Sequence, residues 1–246
     1  MCCFSSAVED VSNTSIFARR QGQEQFIVYE MTFSAAQDIA MVLPIPVVVG
    51  SLEHDVRFIN LEGYPELFAD LKSLFPELLM ESALSDGPVA ASAPPETLEV
   101  QKVGSFEASF VPTIADFERL DARFRLPNQV WEDMPGYQDY GFAVFKLAPG
   151  RMQEVHPMAF SFPTRNPGTL FFPTVHIHDG KFHQKAHFDH SLYCQTKRAP
   201  KGWDGSEGWV RDQVDIGRAR GIVERDAPCY RSRIIGSFKN EDIVVI

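Results

Sequence analysis

An apolar run at residues 38–49 (DIAMVLPIPVVV) restricts the fold of this chain more than any other feature. Turn residues bound the run, and Pro44 and Pro46 interrupt its second half. A short apolar run of this kind is typical of a buried β-strand, and the prolines mark its end because proline cannot donate to a strand ladder. The run is about half as long as a bilayer-spanning helix needs to be. It therefore predicts a buried strand in a globular protein and no membrane span.

Further segments on both sides of this run predict a fold built mainly from strands. Residues 24–33 predict a strand with Phe26, Val28 and Glu30 on one face and the residues between them on the other. A turn at 20–22 separates this strand from a short strand at 15–19. Later strands are predicted at 97–103, 105–111, 140–147, 153–162, 170–178, 181–194 and in the C-terminal DIVVI.

One amphipathic helix is predicted at about 64–80, with Pro65 near its start and Pro76 near its end. Residues 85–96 (SDGPVAASAPPE) are rich in proline, alanine and serine, which predicts a flexible loop. We therefore expect an α+β fold with predominantly antiparallel β-sheet, sandwich or barrel-like, forming a single domain over residues 1–246.

The charge of the chain restricts its partners. A net charge of −10 disfavours binding to nucleic acid phosphates. The start of the chain (Met1-Cys2-Cys3, then Ser, Glu and Asp) lacks the pattern of a secretory signal, so a cytoplasmic location is expected, with the cysteines as thiols. A small-molecule partner, a protein partner and a homo-oligomer all stay open.

Histidines are concentrated in one segment, because five of the seven lie between positions 176 and 190. Asp179-Gly180 at its centre is a favoured two-residue hairpin turn. The resulting register places His176 opposite His183, with His178 on the same face and Phe182 and Phe188 on the other. By the same parity His190 belongs to the apolar face, which predicts a buried histidine.

Three imidazoles on one face resemble the ligand set of a catalytic zinc site, and imidazole also suits copper. We therefore predict a metal-binding protein or a metalloenzyme that holds zinc or copper through His176, His178, His183 and His187. Lys185 and a second lysine, Lys181, share that face and oppose a metal cation. The alternative interpretation is a polar sheet face without a ligand.

Two other functions are consistent with the sequence, and whether the chain is an enzyme stays open. Cys2 could become an N-terminal nucleophile after removal of Met1, which predicts a cysteine hydrolase. Alternatively, the 85–96 loop and the aromatic segment 131–140 (WEDMPGYQDY) could form a partner surface of a non-catalytic interaction protein.

Several segments resemble a bacterial domain family of unknown function. They are the opening cysteines, the IFA strand at 16–18, the VLPIPV strand at 42–47 and the YPELFADL segment at 64–71, with HPMAFSFPT and LFFPTV later in the chain. Members of that family are typically exported, whereas this chain lacks a signal sequence. The resemblance implies the early strands and the helix, and it implies neither an activity nor site residues.

Overall fold

The computed structural model describes residues 3–75 and 100–246, and of Gln153 and Glu154 it describes the backbone alone. Most of these residues lie in strands. In chain order the strands are β1 Cys3–Phe4, β2 Asp10–Gln21, β3 Glu24–Ala35, β4 Ile39–Ile45, β5 Arg57–Asn60, β6 Gln101–Val103, β7 Phe106–Val111, β8 Gly141–Leu147, β9 Gly150–Glu154, β10 Met158–Pro163, β11 Leu170–Phe172, β12 Lys185–Gln195, β13 Asp204–Trp209, β14 Pro228–Lys239 and β15 Ile243–Val245.

Helical segments are short. The described part of the chain contains two α-helices, α1 Leu67–Ser73 and α2 Asn128–Asp133, and short 3₁₀ helices at Glu53–Asp55, Ala115–Arg119, Ala122–Phe124, Pro135–Tyr137 and Val210–Asp212. Within the described ranges, no helix is long and apolar enough to cross a membrane.

The strands form two large open sheets and a two-stranded ribbon. The five-stranded sheet has the order β1-β4-β8-β7-β6, and the larger sheet has the order β13-β14-β12-β2-β3-β10-β5, with β9 also paired to β3. The ribbon pairs β11 with β15. All the described strand pairs are antiparallel except β12 with β2. The antiparallel prediction is confirmed. The architecture is sandwich-like and not a barrel, because neither large sheet closes on itself among the described strands.

Within the apolar run at 38–49, Ile39–Ile45 forms β4, and every residue of this strand is buried. Ile39 and Met41 belong to the core between the two sheets. Ala40 and Val42 point to the opposite face, where they pack in a cluster that contains Trp131. A strand covered on both faces needs apolar residues at every position, which explains the continuous pattern.

The aromatic segment 131–140 contributes to that outer layer. Trp131 and Met134 are buried, and the Trp131 ring centroid lies 4.9 Å from that of Phe142. Glu132, Asp133 and the stretch 135–140 are exposed or half-buried, so the expectation that this segment forms a partner surface stays a prediction, with Trp131 and Met134 as its anchors on the back of the five-stranded sheet.

The outer face of the larger sheet is covered by α1 and the segment after β13. Leu67, Phe68 and Leu71 of α1 share a cluster with Val210 and Ile222. The helix begins later than predicted, since Tyr64 precedes a proline and is thereby disfavoured in the helical region. The helix also ends earlier than predicted, at Ser73 with Leu74 as its C-cap, so it spans seven residues and the predicted helix at about 64–80 is too long. Residues 76–80 and the predicted 85–96 loop lie outside the described residues.

Candidate functional site

The predicted hairpin around Asp179-Gly180 is wrong. Strand β12, which follows the Asp179-Gly180 turn, pairs with β14 and β2. In this register Lys185 lies opposite Lys239, and His187 lies opposite Ser237. The strand before the turn ends at Phe172 and pairs with β15. Residues 173–184 therefore form a connection between two different partners, although Gly180 does adopt the positive φ of 76° that a tight turn requires.

Side chains from the C-terminal segment hold this connection in place. Asp242 Oδ1 accepts hydrogen bonds from the backbone N–H groups of Thr174 (2.7 Å) and Val175 (2.9 Å). Asn240 Oδ1 accepts from the His176 N–H at 2.7 Å, and Asn240 Nδ2 donates to the His176 and His183 carbonyls, both at 2.9 Å. These side chains supply the bonds that a neighbouring strand would otherwise make.

The connection brings together three imidazoles that we call the histidine stack: His176, His178 and His190. The rings of His176 and His178 are nearly parallel, with centroids 5.4 Å apart and an interplanar angle of 9°. His176 and His190 stack in the same way at 5.2 Å and 15°. Phe188 packs against the middle ring of the stack, with its ring centroid 4.2 Å from that of His176. The rings meet face to face, so their nitrogens do not converge on a common point.

The prediction of a metal-binding protein is therefore wrong. His183 lies apart from the stack, where its Nε2 is 2.9 Å from Asp179 Oδ2, and His187 is exposed on β12. Across residues 3–75 and 100–246, no group of three or more His, Cys, Asp or Glu side chains could hold a metal ion. The expected convergence of His176, His178, His183 and His187 depended on the hairpin register, which does not form. The expectation of zinc or copper stays a prediction.

The prediction for His190 agrees with its position, because it is 1% exposed and faces the core. The parity argument identified it from β12 alone. No local pattern could show that His176 and His178 would reach it, because the contact depends on Asn240 and Asp242 far along the chain.

Burial keeps the stack uncharged. It lowers the pKa of His178 to about 4 and that of His190 to about 3. The pKa of His176 is also held far below its ordinary value by burial, and by the other histidines around it. The Nε2 atoms of His176 and His178 are buried and make no hydrogen bond within the described part of the chain. Neutral imidazoles are the expected state near neutral pH.

Two members of the stack, His176 and His178, line a cleft of about 430 Å³. The stretch around Asp10 at the start of β2 also lines it, together with charged groups of both signs. Its lining side chains are Val8, Glu9, Asp10, Val11, His176, His178, Asp179, His183, Lys185, Ala186, His187 and Asn240.

The N-terminal strand β1 packs beside the stack. The Phe4 N–H donates to the Ile177 carbonyl at 2.9 Å, and the Val8 N–H donates to the His178 carbonyl at 3.1 Å. The Phe4 ring centroid lies 5.6 Å from that of His178. Cys3 is a fully buried thiol, whereas Cys2, the predicted nucleophile, lies outside the described residues. The two segments therefore hold each other through a few backbone bonds and one ring contact.

The sequence matches no family model and no curated protein, so the similarity to the bacterial domain family stays a prediction. Solved structures do match. The chain is similar to the crystal structure of baculovirus P35, with a TM-score of 0.52, 13% identity and coverage of 99% of both chains. A mutated baculovirus P35 after caspase cleavage also matches, with a TM-score of 0.48, 13% identity and coverage of 95% of this chain and 99% of that one. At this identity the first match establishes a common fold.

Proposed function

We propose that this chain binds a cysteine protease of the caspase type, is cleaved by it and inhibits it. The fold similarity to P35 over the whole length of both chains carries the proposal. A mutated form of P35 has been crystallised after cleavage by a caspase.

The sequence offers one cleavage site that suits this class of protease. Caspases cut after aspartate, and Asp-Gly occurs three times, at Asp86, Asp179 and Asp204. Asp86 falls in the segment 85–96, which is rich in proline, alanine and serine. That composition favours Asp86, because proteolysis concentrates in segments of small and polar residues. We propose Asp86 as the residue after which the protease cuts.

The other two Asp-Gly pairs are held by hydrogen bonds. Asp179 accepts from the Lys181 N–H at 3.1 Å through one carboxylate oxygen and contacts His183 through the other. Asp204 and Gly205 belong to β13 and pair with β14. A protease needs an extended segment of substrate, so both sites would have to leave their partners before cleavage.

The elements on either side of residues 76–99 are firmly anchored. Phe75 is buried, and its ring centroid lies 6.0 Å from that of Tyr193 in the larger sheet. On the other side, Val103 of β6 is buried in the core between the sheets. The scaffold on both sides of residues 76–99 is therefore held by core contacts, as is common where a rigid scaffold carries a binding segment.

The test is to incubate the full chain with purified caspases and to follow both molecules. We expect two fragments that join at Asp86 and Gly87 by mass spectrometry, together with loss of caspase activity on a fluorogenic aspartyl peptide. The Asp86→Ala variant should stay intact and leave the caspase active.

Asp204→Ala is the matched control, because it removes the aspartate of another Asp-Gly pair and leaves residue 86 unchanged. We expect it to behave as the wild type. The proposal is wrong if a panel of caspases neither cleaves nor loses activity, or if Asp86→Ala inhibits as well as the wild type.

A further inference from the structure

The histidine stack lies where two segments of the chain meet and depend on each other. The segment 173–178 carries His176 and His178, and it holds β1 through hydrogen bonds from Phe4 and Val8. The third ring, His190, belongs to β12 in the middle of the larger sheet. On its other side β1 pairs with β4 at the edge of the five-stranded sheet, so the stack adds a second attachment for the N-terminal strand and joins the 173–184 connection to the larger sheet.

Protonation would place like charges at close range in this stack. The ring centroids of neighbouring members are 5.2–5.4 Å apart, and the Nε2 atoms of His176 and His178 have no acceptor among the described residues to receive a new proton. A buried imidazolium without an acceptor is strongly unfavourable.

Other charged groups surround the stack. They come from three parts of the chain: the stretch that leads into β2, the 173–184 connection and β12. The groups are Glu9, Asp10, Asp179, His183, Lys185, His187 and Asp189. Asp10, Asp179 and Asp189 favour a positive charge on His178, but burial outweighs them. Asp189 does the same for His190, again less than burial opposes it.

We propose that the histidine stack is an acid-sensitive clasp, which releases β1 from the edge of the five-stranded sheet, together with residues 176–184, below about pH 6. The other strands of both sheets stay paired, and Asp242 keeps its bonds to Thr174 and Val175. Opening exposes the three rings to water, where each takes up a proton, and the positive charges then oppose closure. The clasp does not depend on the proposed protease binding, since it involves neither Asp86 nor the segment around it.

The size of the effect follows from proton linkage. A histidine that is neutral in the closed state and titrates near 6.5 in the open state favours opening about 30-fold at pH 5. Three such groups multiply to an upper limit of about 3 × 10⁴-fold, and carboxylates around the rings reduce it. At pH 7.5 the same groups change the equilibrium by less than about twofold.

Cys3 reports the opening directly, because its thiol is fully buried in β1. We would label the full chain with 4,4′-dithiodipyridine at pH 7.5 and pH 5.0 in buffers that contain EDTA, and locate the label by peptide mass spectrometry. Rates are divided by those of the protein unfolded in guanidinium chloride at the same pH. Cys194 and Cys229 are fully buried in the larger sheet and report global unfolding.

We expect the normalised rate at Cys3 to rise at least 30-fold from pH 7.5 to pH 5.0, with Cys194 and Cys229 unchanged. The triple variant His176→Gln/His178→Gln/His190→Gln removes all three groups and should reduce that rise to less than threefold. His187→Gln is the matched control, because it removes an exposed histidine of the same region and should keep the full response.

Three results would overturn the clasp. They are an unchanged Cys3 rate at pH 5.0, equal increases at all three cysteines, and a full response in the triple variant. If the triple variant already exposes Cys3 at pH 7.5, the single His178→Gln variant decides, with an expected response about 30-fold smaller than that of the wild type. Caspase inhibition at pH 7.5 is measured separately, so failure of one proposal leaves the other standing.

Discussion

Asp242 gives the sharpest test of how the C-terminal segment organises the site. Its carboxylate accepts hydrogen bonds from the backbone of Thr174 and Val175 and from the Tyr137 hydroxyl at 2.7 Å. Burial raises the pKa of Asp242 from 3.8 to about 6, and these three donors offset only part of that effect. The substitution Asp242→Asn keeps the shape and the Oδ1 acceptor while it removes the ionisable group.

The sign of the pH effect follows from the two pKa values. Between about 4 and 6 the folded protein holds a proton on Asp242 that the unfolded chain has lost, so the free energy of unfolding falls as the pH rises. A difference of roughly two pH units corresponds to about 3 kcal/mol. Because Asp242 is only partly buried as a residue, we expect about 2 kcal/mol. The contribution is fully present below pH 4 and is lost above pH 6.

The assay is urea unfolding of the wild type and of Asp242→Asn at pH 4.5, 5.5, 6.5 and 7.5. As the pH rises from 4.5 to 7.5, we expect the free energy of unfolding of Asp242→Asn to increase by about 2 kcal/mol relative to that of the wild type. The buried histidines cancel in the difference, since both proteins contain them. A difference in the free energy of unfolding that stays constant with pH would refute the reasoning. So would a rise in the stability of the wild type relative to the variant as the pH increases.

Two further substitutions test the packing around the site. Asn240→Ala removes the bonds to the backbone of His176 and His183 and should lower the free energy of unfolding by about 3 kcal/mol in urea titrations, and a change below about 1 kcal/mol would contradict this role. Gly141→Ala places a Cβ 2.5 Å from the Phe110 ring and should cost about 1–3 kcal/mol, whereas at Gly136, where nothing lies within 4 Å, the same change should be neutral in thermal unfolding.

The strands could be predicted from the sequence because their signals are local. The β2–β3 hairpin follows from alternation on both sides of a turn, where Gly22 adopts a φ of 63°. β4 follows from an apolar run that two covering layers require. These patterns depend on each segment's own residues, so each strand can be recognised without knowing which strands it pairs with.

The histidine region could not be predicted, because its partners are distant in sequence. A local rule for Asp179-Gly180 gives a hairpin, yet β12 pairs with β14 and with the parallel β2. The connection is fixed instead by Asn240 and Asp242, more than 60 residues away along the chain. Contacts of that kind, made by two polar side chains near the C-terminus, leave no periodic signal in the sequence.

The most direct test of the proposed function is a stoichiometric titration of a caspase with the full chain at pH 7.5. We predict that residual caspase activity falls linearly to zero as the chain is added, with an end point near one chain per active site, and that the Asp86→Ala variant leaves the activity unchanged. A caspase that keeps full activity at a large excess of the wild-type chain would contradict the proposal.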